Sequence, residues 1–307
     1  MEIASNDGYL LQYFKSKDIP CLGIEPSRNT AEAARVKGIE SITEFFGIEL
    51  ATKLAAKGHK PDLLVGNNVL AHVPDIGDFI EGMKILLDEQ GVITMEFPHL
   101  MQLVVNNQFD TIYHEHFSYL SFHTVREIFR KYGLTLFDVE EIPTHGGSLR
   151  IYARHAEDEL KPVMPSVATL HEKEVAAGMM EMQFYTGFQQ KADQVKYALL
   201  ECLMQQKRAG RKVVAYGAAA KGNTLLNYCG IKKDLISFVV DASPHKQGKY
   251  LPGSHIPVVP EDLIKSERPD YILILPWNIK DELIEQLSYI RKWGGQFVAA
   301  IPEIEMF

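Results

Sequence analysis

Short apolar runs alternate with stretches of helical periodicity through the first half of the chain, and this regularity leaves few possible folds. The apolar runs MEIAS, PCLGIEP, DLLVGNN and GVITMEFP are predicted strands. Between them, GYLLQYFKSK, RNTAEAARVKG and IGDFIEGMKILLDEQG have the spacing of helices. Strand–helix alternation is typical of a parallel sheet covered by helices on both faces. The sequence therefore predicts an α/β domain.

Two strands near the end of this half are predicted to form a hairpin. LTLFDVEEI and SLRIYARH are separated only by PTHGG, which leaves no room for a helix. Consecutive strands without a crossover helix pair in antiparallel fashion. We expect this hairpin at the edge of the sheet.

The second half repeats the alternation on a smaller scale. Predicted strands RKVVAYG, ISFVVDASP, DYILILP and GQFVAAIP have helical stretches between them, the first being AAAKGNTLLNYC. A proline-free stretch from about Leu170 to Ala209 is predicted to be one long helix. The predicted organisation is an α/β domain over residues 1–157, a linker and long helix over 158–210, and a smaller α/β domain over 211–307.

Charge and cysteine content exclude several classes of protein. The 307 residues carry a formal net charge of -8, which argues against a general nucleic-acid binder. Cys21, Cys202 and Cys229 are widely spaced, so neither a disulfide framework nor a zinc site is supported. Free thiols fit a reducing cytoplasm. No apolar run reaches the ~20 residues of a membrane span, so we expect a cytoplasmic protein without a membrane partner.

The loop after the first predicted strand, ASNDG, is a candidate ligand site. In open α/β sheets ligands bind beyond the carboxyl ends of the strands, and this loop leads into a helix N-terminus. Gly8 permits a tight turn, and Asp7 can accept a ligand ammonium or hydroxyl. Glu25 ends the second strand, where a carboxylate can bind both hydroxyls of a ribose. Without G-x-G-x-x-G these residues fit S-adenosylmethionine (SAM) better than NAD, the alternative being a polar loop and a surface glutamate.

A second candidate is GNNVLAHVPD, residues 66–75, at the end of a later strand. Asn68 and His72 are four residues apart and share a face if the turn is helical. The alternative is that His72 is a structural histidine.

The motif YHEH places Tyr113, His114, Glu115 and His116 in consecutive positions among aromatic residues. All four side chains can share or move protons, and imidazole does so near neutral pH. The alternative interpretation is an aromatic lid whose polar groups are satisfied internally.

Seven motifs in order resemble those of the nucleotide-sugar C-methyltransferases, typified by 3-C-methyltransferases of dTDP-linked 4-keto-deoxysugars. The motifs are EIASNDGYLLQYF, GIEPS, NNVLAHVPD, EFPHL, YHEHFSYLS, HGGSLRIYARH and YGAAAKGNTLLNYCG. The resemblance covers essentially the whole chain. It implies a class I SAM-methyltransferase Rossmann-like domain, followed by a second, smaller Rossmann-like α/β domain.

The resemblance also implies roles for individual residues. The expected catalytic residues are His116, Tyr113, Glu115 and His72. The expected SAM-binding residues are Ala4, Ser5, Asn6, Asp7, Gly8, Glu25, Pro26, Asn67 and Asn68. The expected substrate-binding residues are Asn68, His114, Gly146, Gly147, Lys221 and Asn223.

The chemistry expected at this site is removal of a proton next to a ketone. His116 is the candidate base, Glu115 orients it or raises its basicity, and Tyr113 stabilises the enolate oxygen or relays a proton. The SAM methyl group must then lie ~3–3.5 Å from the carbanion. No metal is required, and the expected partner is a dTDP-linked keto sugar.

Two glycine-bearing loops have both structural and functional interpretations. THGGS is either a tight turn or a site where Gly146 and Gly147 let the backbone approach the sugar. GAAAKGN is not a Walker motif, but its helix N-terminus and Lys221 can hold a phosphate. The alternative for this second loop is a packing role.

This chain departs from the family pattern in one respect. Family members usually have a small N-terminal zinc domain with four cysteines, and this chain lacks it. We therefore expect a truncated or split protein, acting as a monomer, with part of its sugar site missing. The alternatives are a methyltransferase with an oxygen or nitrogen acceptor, and a non-catalytic binding module. A nicotinamide-dependent dehydrogenase is disfavoured because G-x-G-x-x-G is absent from both halves.

Overall fold

A seven-stranded sheet is the centre of the first of two units in the computed structural model, which describes all residues from Met1 to Phe307. Its strands are β1 (Glu2–Ile3), β2 (Gly23–Ile24), β3 (Ser41–Ile42), β4 (Leu63–Asn67), β5 (Val92–Pro98), β6 (Leu134–Ile142) and β7 (Ser148–His155). The order is β3-β2-β1-β4-β5-β7-β6, and only β7 runs antiparallel to its neighbours. The predicted α/β sheet and its edge hairpin are confirmed.

Helices connect and cover these strands. They are α1 (Leu11–Lys15), α2 (Arg28–Val36), α3 (Ile48–Ala56), α4 (Ile76–Leu86), α5 (Leu100–Val105), α6 (Phe122–Lys131) and α7 (Pro165–Ala176). Side-chain capping fixes the first residues of two of these helices. The side chains of Asp75 and Ser121 cap α4 and α6 by accepting backbone N–H groups of Asp78 and Thr124, each at 3.1 Å. Fully buried Phe97, on β5, belongs to the core beneath these helices.

The second unit has a six-stranded sheet of its own. Its strands are β8 (Val213–Tyr216), β9 (Val239–Val240), β10 (Val258–Val259), β11 (Tyr271–Ile274), β12 (Gln296–Ala299) and β13 (Glu305–Met306). The order is β10-β9-β8-β11-β12-β13, and all pairs are parallel except the last. The remaining helices are α8 (Met182–Tyr185), α9 (Phe188–Arg208), α10 (Ala220–Cys229), α11 (Asp262–Glu267) and α12 (Lys280–Gln286). The predicted second α/β domain is confirmed.

The prediction of one long helix from Leu170 to Ala209 is wrong. Helices α7, α8 and α9 occupy this stretch, and Gly178 and Gly187 interrupt it with φ angles of 85° and 89°. Glycine adopts this left-handed conformation without the steric penalty that other residues meet. The absence of proline was therefore not enough to predict continuity.

The two units do not follow the predicted boundaries. The first comprises residues 1–101 and 115–184, and the second comprises residues 102–114 and 185–307. Phe109 belongs to the core of the second unit, where its ring centroid lies 5.0 Å from that of Tyr228. A segment of the first half of the chain thus completes the second unit, which strand–helix alternation cannot reveal. No helix of either unit is both long enough and apolar enough to cross a membrane.

Candidate active site

A cavity of about 430 Å³ opens at the carboxyl ends of β1 and β2 in the first unit. Its walls are mainly apolar, and they include four of the residues predicted from the sequence: Ala4, Glu25, Pro26 and His72. The remaining lining residues are Ile3, Ile24, Phe45, Phe46, Val69, Val73, Pro74, Asp75, Asp78 and Phe79. The cavity therefore lies beyond the carboxyl ends of the strands, where a ligand was expected.

Glu25 is an acid of this cavity that two backbone N–H groups hold in place. Its side chain is buried, and its two oxygens accept the backbone N–H groups of Asn6 at 3.1 Å and Ser27 at 2.8 Å. A carboxylate has about four acceptor positions. One position on each oxygen therefore remains for a ligand hydroxyl, as ribose recognition requires.

The loop of residues 4–8 has an unusual backbone. Ala4 and Asn6 have φ angles of 57° and 50°, and Gly8 has 74°. A Cβ at Gly8 would be strained at this φ and would force the end of the Ile39 side chain to move, so glycine is favoured there. Ser5, between them, is fully buried. Two left-handed non-glycine residues in one loop are strained, and such strain is found chiefly at functional sites.

Asp7 does not have the environment expected from the sequence. Its carboxylate forms an ion pair with Lys37 at 2.6 Å on the surface, and it does not line the cavity. The hydrogen bond from Lys37 lowers the pKa of Asp7. The Asp7 carboxylate, which was expected to accept a ligand ammonium or hydroxyl, is thus already paired with Lys37.

The structure brings His72 and His116 together. Their ring centroids are 4.8 Å apart in an edge-to-face arrangement. The His72 ring also hydrogen-bonds the backbone of Glu115, and the backbone oxygen of Ala71 accepts the N–H of Phe117 at 2.8 Å. These bonds hold the second half of the YHEH motif against the 66–75 turn, beside the cavity.

Burial, followed by the nearby charge of His116, lowers the pKa of His72. Two imidazoles this close cannot both be protonated without repulsion. His72 is therefore neutral near pH 7, and its ring can accept or donate a hydrogen bond without adding charge.

Tyr113 and His114 belong to the second unit, because the boundary between the units falls after His114. Tyr113 is half-buried and His114 is exposed. They follow a short 3₁₀ turn, Phe109–Thr111.

The asparagines at the end of β4 have different surroundings. The side chain of Asn67 hydrogen-bonds Tyr9. Asn68 has a φ of 53°, and its side-chain oxygen is buried without a hydrogen-bond partner. Buried hydrogen-bond acceptors without a partner are rare in proteins. The side-chain oxygen of Asn68 is therefore suited to accept a hydrogen bond from a ligand N–H or O–H. Tyr9 was not predicted from the sequence.

Glu96, near the end of β5, is a second residue that sequence reasoning missed. Its side chain is buried and accepts the Thr144 hydroxyl at 2.7 Å and the Arg150 guanidinium at 3.2 Å. This contact holds the loop that carries Gly146 and Gly147, whose φ angles are 92° and 116°. An acid ending a strand in EFPHL was the available signal, because strand ends line the ligand edge.

Lys221 and Asn223 lie at the start of α10 in the second unit. The Lys221 ammonium is 4.4 Å from the ring centroid of Trp277 and 2.7 Å from the side-chain oxygen of Asn278. Burial lowers the pKa of Lys221, while the charge of Asp110 opposes that shift. The side-chain oxygen of Asn223 is buried without a partner. This arrangement can hold an anionic group.

No cluster of three or more His, Cys, Asp or Glu side chains is arranged to bind a metal.

Two family models match the chain. A methyltransferase domain model matches residues 1–139, and a C-methyltransferase C-terminal domain model matches residues 143–302. The C-methyltransferase NovU of Streptomyces niveus is 36% identical over 303 residues, which cover 99% of this chain and 72% of that protein.

Solved structures resemble the chain over about half of its length. A SAM-dependent methyltransferase from Thermotoga maritima aligns with a TM-score of 0.40 and 18% identity, covering 51% of this chain and 80% of that one. One from Mesorhizobium loti aligns with a TM-score of 0.40 and 15% identity, covering 50% and 89%.

Proposed function

Because this chain belongs to the SAM-dependent C-methyltransferase family, we propose that it methylates the carbon next to the ketone of a nucleotide-linked keto-deoxysugar. The observation that carries the proposal is the His72–His116 pair beside a cavity with a pre-oriented acid. The pair provides a base, and the cavity provides a site for the methyl donor.

The residues of the cavity fit SAM. The two free acceptor positions of Glu25 suit the ribose hydroxyls, and the apolar walls formed by Phe45 and Phe46 suit the adenine. Ala4, the first residue of the strained loop, also lines the cavity. When bound, SAM supplies an electrophilic methyl group.

His116 acts as the base. A C–H bond next to a ketone becomes acidic because the electron pair left on carbon delocalises onto the ketone oxygen. His116 takes the proton, and neutral His72 lies 4.8 Å away, close enough to orient its ring without opposing its charge. Glu115 offsets the imidazolium that forms. Tyr113 donates a hydrogen bond to the enolate oxygen.

Polar side chains and glycines bind the sugar nucleotide in this proposal. Lys221 binds a phosphate, supported by its ammonium being held over Trp277 without an acidic side chain in direct contact. Asn223, Asn68, His114 and the backbone of Gly146 and Gly147 bind the sugar and its nucleotide, which we take to be dTDP. We further propose that the protein acts as a cytoplasmic monomer and needs neither a metal ion nor a nucleic acid.

The test is methyl transfer to a dTDP-4-keto-deoxysugar, with NMR used to locate the new bond. We expect a new carbon–carbon bond next to the ketone. His116→Asn should abolish turnover and leave S-adenosylhomocysteine binding nearly intact. His59→Asn, which changes an exposed histidine of the same unit, is the matched control and should keep full activity. Methyl transfer to oxygen or nitrogen, or unchanged turnover by His116→Asn, would contradict the proposal.

A further inference from the structure

Asp110 is a fully buried acid that the proposed chemistry does not use. One carboxylate oxygen accepts the indole N–H of Trp277 at 2.8 Å. The other oxygen is buried and has no hydrogen-bond partner. Buried carboxylates are costly, and they persist where their contacts are needed.

The residues around Asp110 form a rigid anchor within the second unit. The Phe109 ring packs against Tyr228, whose hydroxyl donates to Asp193 at 2.6 Å. Lys221 covers the Trp277 ring. Two neighbouring side chains of one short turn are therefore each held by a separate, hydrogen-bonded aromatic residue.

The backbone of the turn is equally well held. The N–H of Thr111 donates to the oxygen of Gln108 at 3.1 Å, and that of Ile112 donates to the oxygen of Phe109 at 3.0 Å. Tyr113 follows directly, and a span of three residues cannot exceed about 11 Å. A shift at Asp110 therefore reaches Tyr113, with little chain in between to absorb it.

We propose that Asp110 is a positioning residue that fixes Tyr113 and His114, the first half of the YHEH motif, through its hydrogen bond to Trp277. The consequence for turnover rests on the proposed function. The anchoring itself does not, because it concerns the order of the segment rather than the reaction.

The experiment compares Trp277→Phe with Trp293→Phe. These are the two tryptophans of the chain, and Trp293 also uses its indole N–H, which donates to the Pro269 oxygen at 3.0 Å. The two variants thus lose the same group at different places. Hydrogen exchange of the amides of residues 109–116 is measured with kcat, KM and S-adenosylhomocysteine affinity.

We expect Trp277→Phe to speed exchange at Thr111 and Ile112 about tenfold and to lower kcat about tenfold to hundredfold, as expected when a buried acceptor loses its donor. Donor affinity should change less than about twofold. Trp293→Phe should leave exchange in this segment and kcat unchanged. Asp110→Asn should stay near wild type, because an amide oxygen can still accept from Trp277.

Unchanged exchange in Trp277→Phe would overturn the anchoring. An equal loss of kcat in Trp293→Phe, or a loss in Asp110→Asn as large as in Trp277→Phe, would overturn the role of this hydrogen bond. If the wild type fails to methylate the keto sugar, the proposed function fails, and the exchange data still decide the anchoring.

Discussion

Glu25 shows how one side chain can be prepared for a ligand by the backbone around it. The N–H groups of Asn6 and Ser27 fix both oxygens before any ligand arrives. A ligand hydroxyl then meets an acceptor whose ordering cost has already been met in folding. Glu25 is thus held in place by the backbone at the polar end of a mainly apolar cavity.

Glu25→Gln should weaken S-adenosylhomocysteine binding by about tenfold to hundredfold. Hydrogen bonds to a charged group contribute about 1.5–3 kcal/mol, and the new amide NH₂ would also face the N–H of Asn6 or Ser27. Titration calorimetry measures the change. Glu40→Gln, at an exposed glutamate of the same unit, is the matched control. Equal affinities of both variants would remove Glu25 from donor binding.

Asp110 should make the stability of the second unit depend on pH. Burial raises its pKa from 3.8 to about 6. Folding therefore favours the protonated form, and this contribution to stability is fully present below pH 3.8 and is lost as the pH rises through 6. Asp110→Asn removes the titration. Relative to wild type, its free energy of unfolding should rise by up to about 3 kcal/mol between about pH 4 and about pH 8.

Tryptophan fluorescence during urea unfolding measures this difference, because both tryptophans lie in the second unit. Asp234→Asn, at an exposed aspartate, is the comparison variant. A difference between Asp110→Asn and wild type that is the same at both pH values would show that the buried acid does not titrate in this range.

At the scale of elements, helix α6 begins where a neighbouring helix supplies a carboxylate. Glu174 of α7 is fully buried and accepts the N–H groups of Phe122 at 2.6 Å and His123 at 2.8 Å. Its third partner is the ring of His99 at 2.8 Å. An acid at a helix N-terminus also interacts favourably with the helix dipole. Glu174 thus joins α6, α7 and the end of β5.

Glu174→Gln should destabilise the first unit by about 3 kcal/mol near pH 7, because an amide cannot accept from three donors as a carboxylate does. Burial alone would raise the pKa of Glu174, but the hydrogen bonds from His99, His123 and Phe122 outweigh it and lower the pKa. The stabilisation is therefore present above the unfolded pKa and is lost as the pH falls through the folded pKa.

Urea unfolding followed by circular dichroism measures the loss. Glu172→Gln, two residues earlier on the exposed face of α7, should have little effect. Equal stabilities of the two variants would mean that Glu174 does not hold the start of α6.

At the scale of the whole molecule, local patterns predicted the two sheets, but not the contacts between distant segments. The place of Glu25 in the cavity was predictable, because ligands bind beyond the carboxyl ends of the strands and Glu25 follows the second strand. The pairing of Asp7 with Lys37 was not, because the two are brought together only by the folded loops. Asp110 was missed for the same reason, since its partner Trp277 is 167 residues away along the chain.

The composition of the second unit leads to a prediction about fragments. Its core includes Val195, Leu199 and Leu203 of α9, which lie before the boundary at residue 211 that the sequence suggested. Each buried leucine or valine contributes about 1.5–3 kcal/mol, and a domain is stable by only about 5–15 kcal/mol. A fragment of residues 211–307 should therefore lack a cooperative urea transition.

A fragment of residues 185–307 retains α9 and should unfold cooperatively, though with reduced stability because it lacks Phe109. Adding a peptide of residues 102–114 should raise its urea midpoint, since Phe109 and Asp110 regain Tyr228 and Trp277 as partners. The same peptide with Phe109→Ala and Asp110→Ala is the matched control and should have no effect. Equally cooperative unfolding of both fragments would show that the contiguous 211–307 domain is sufficient. A midpoint unmoved by the native peptide would show that residues 102–114 do not stabilise the second unit.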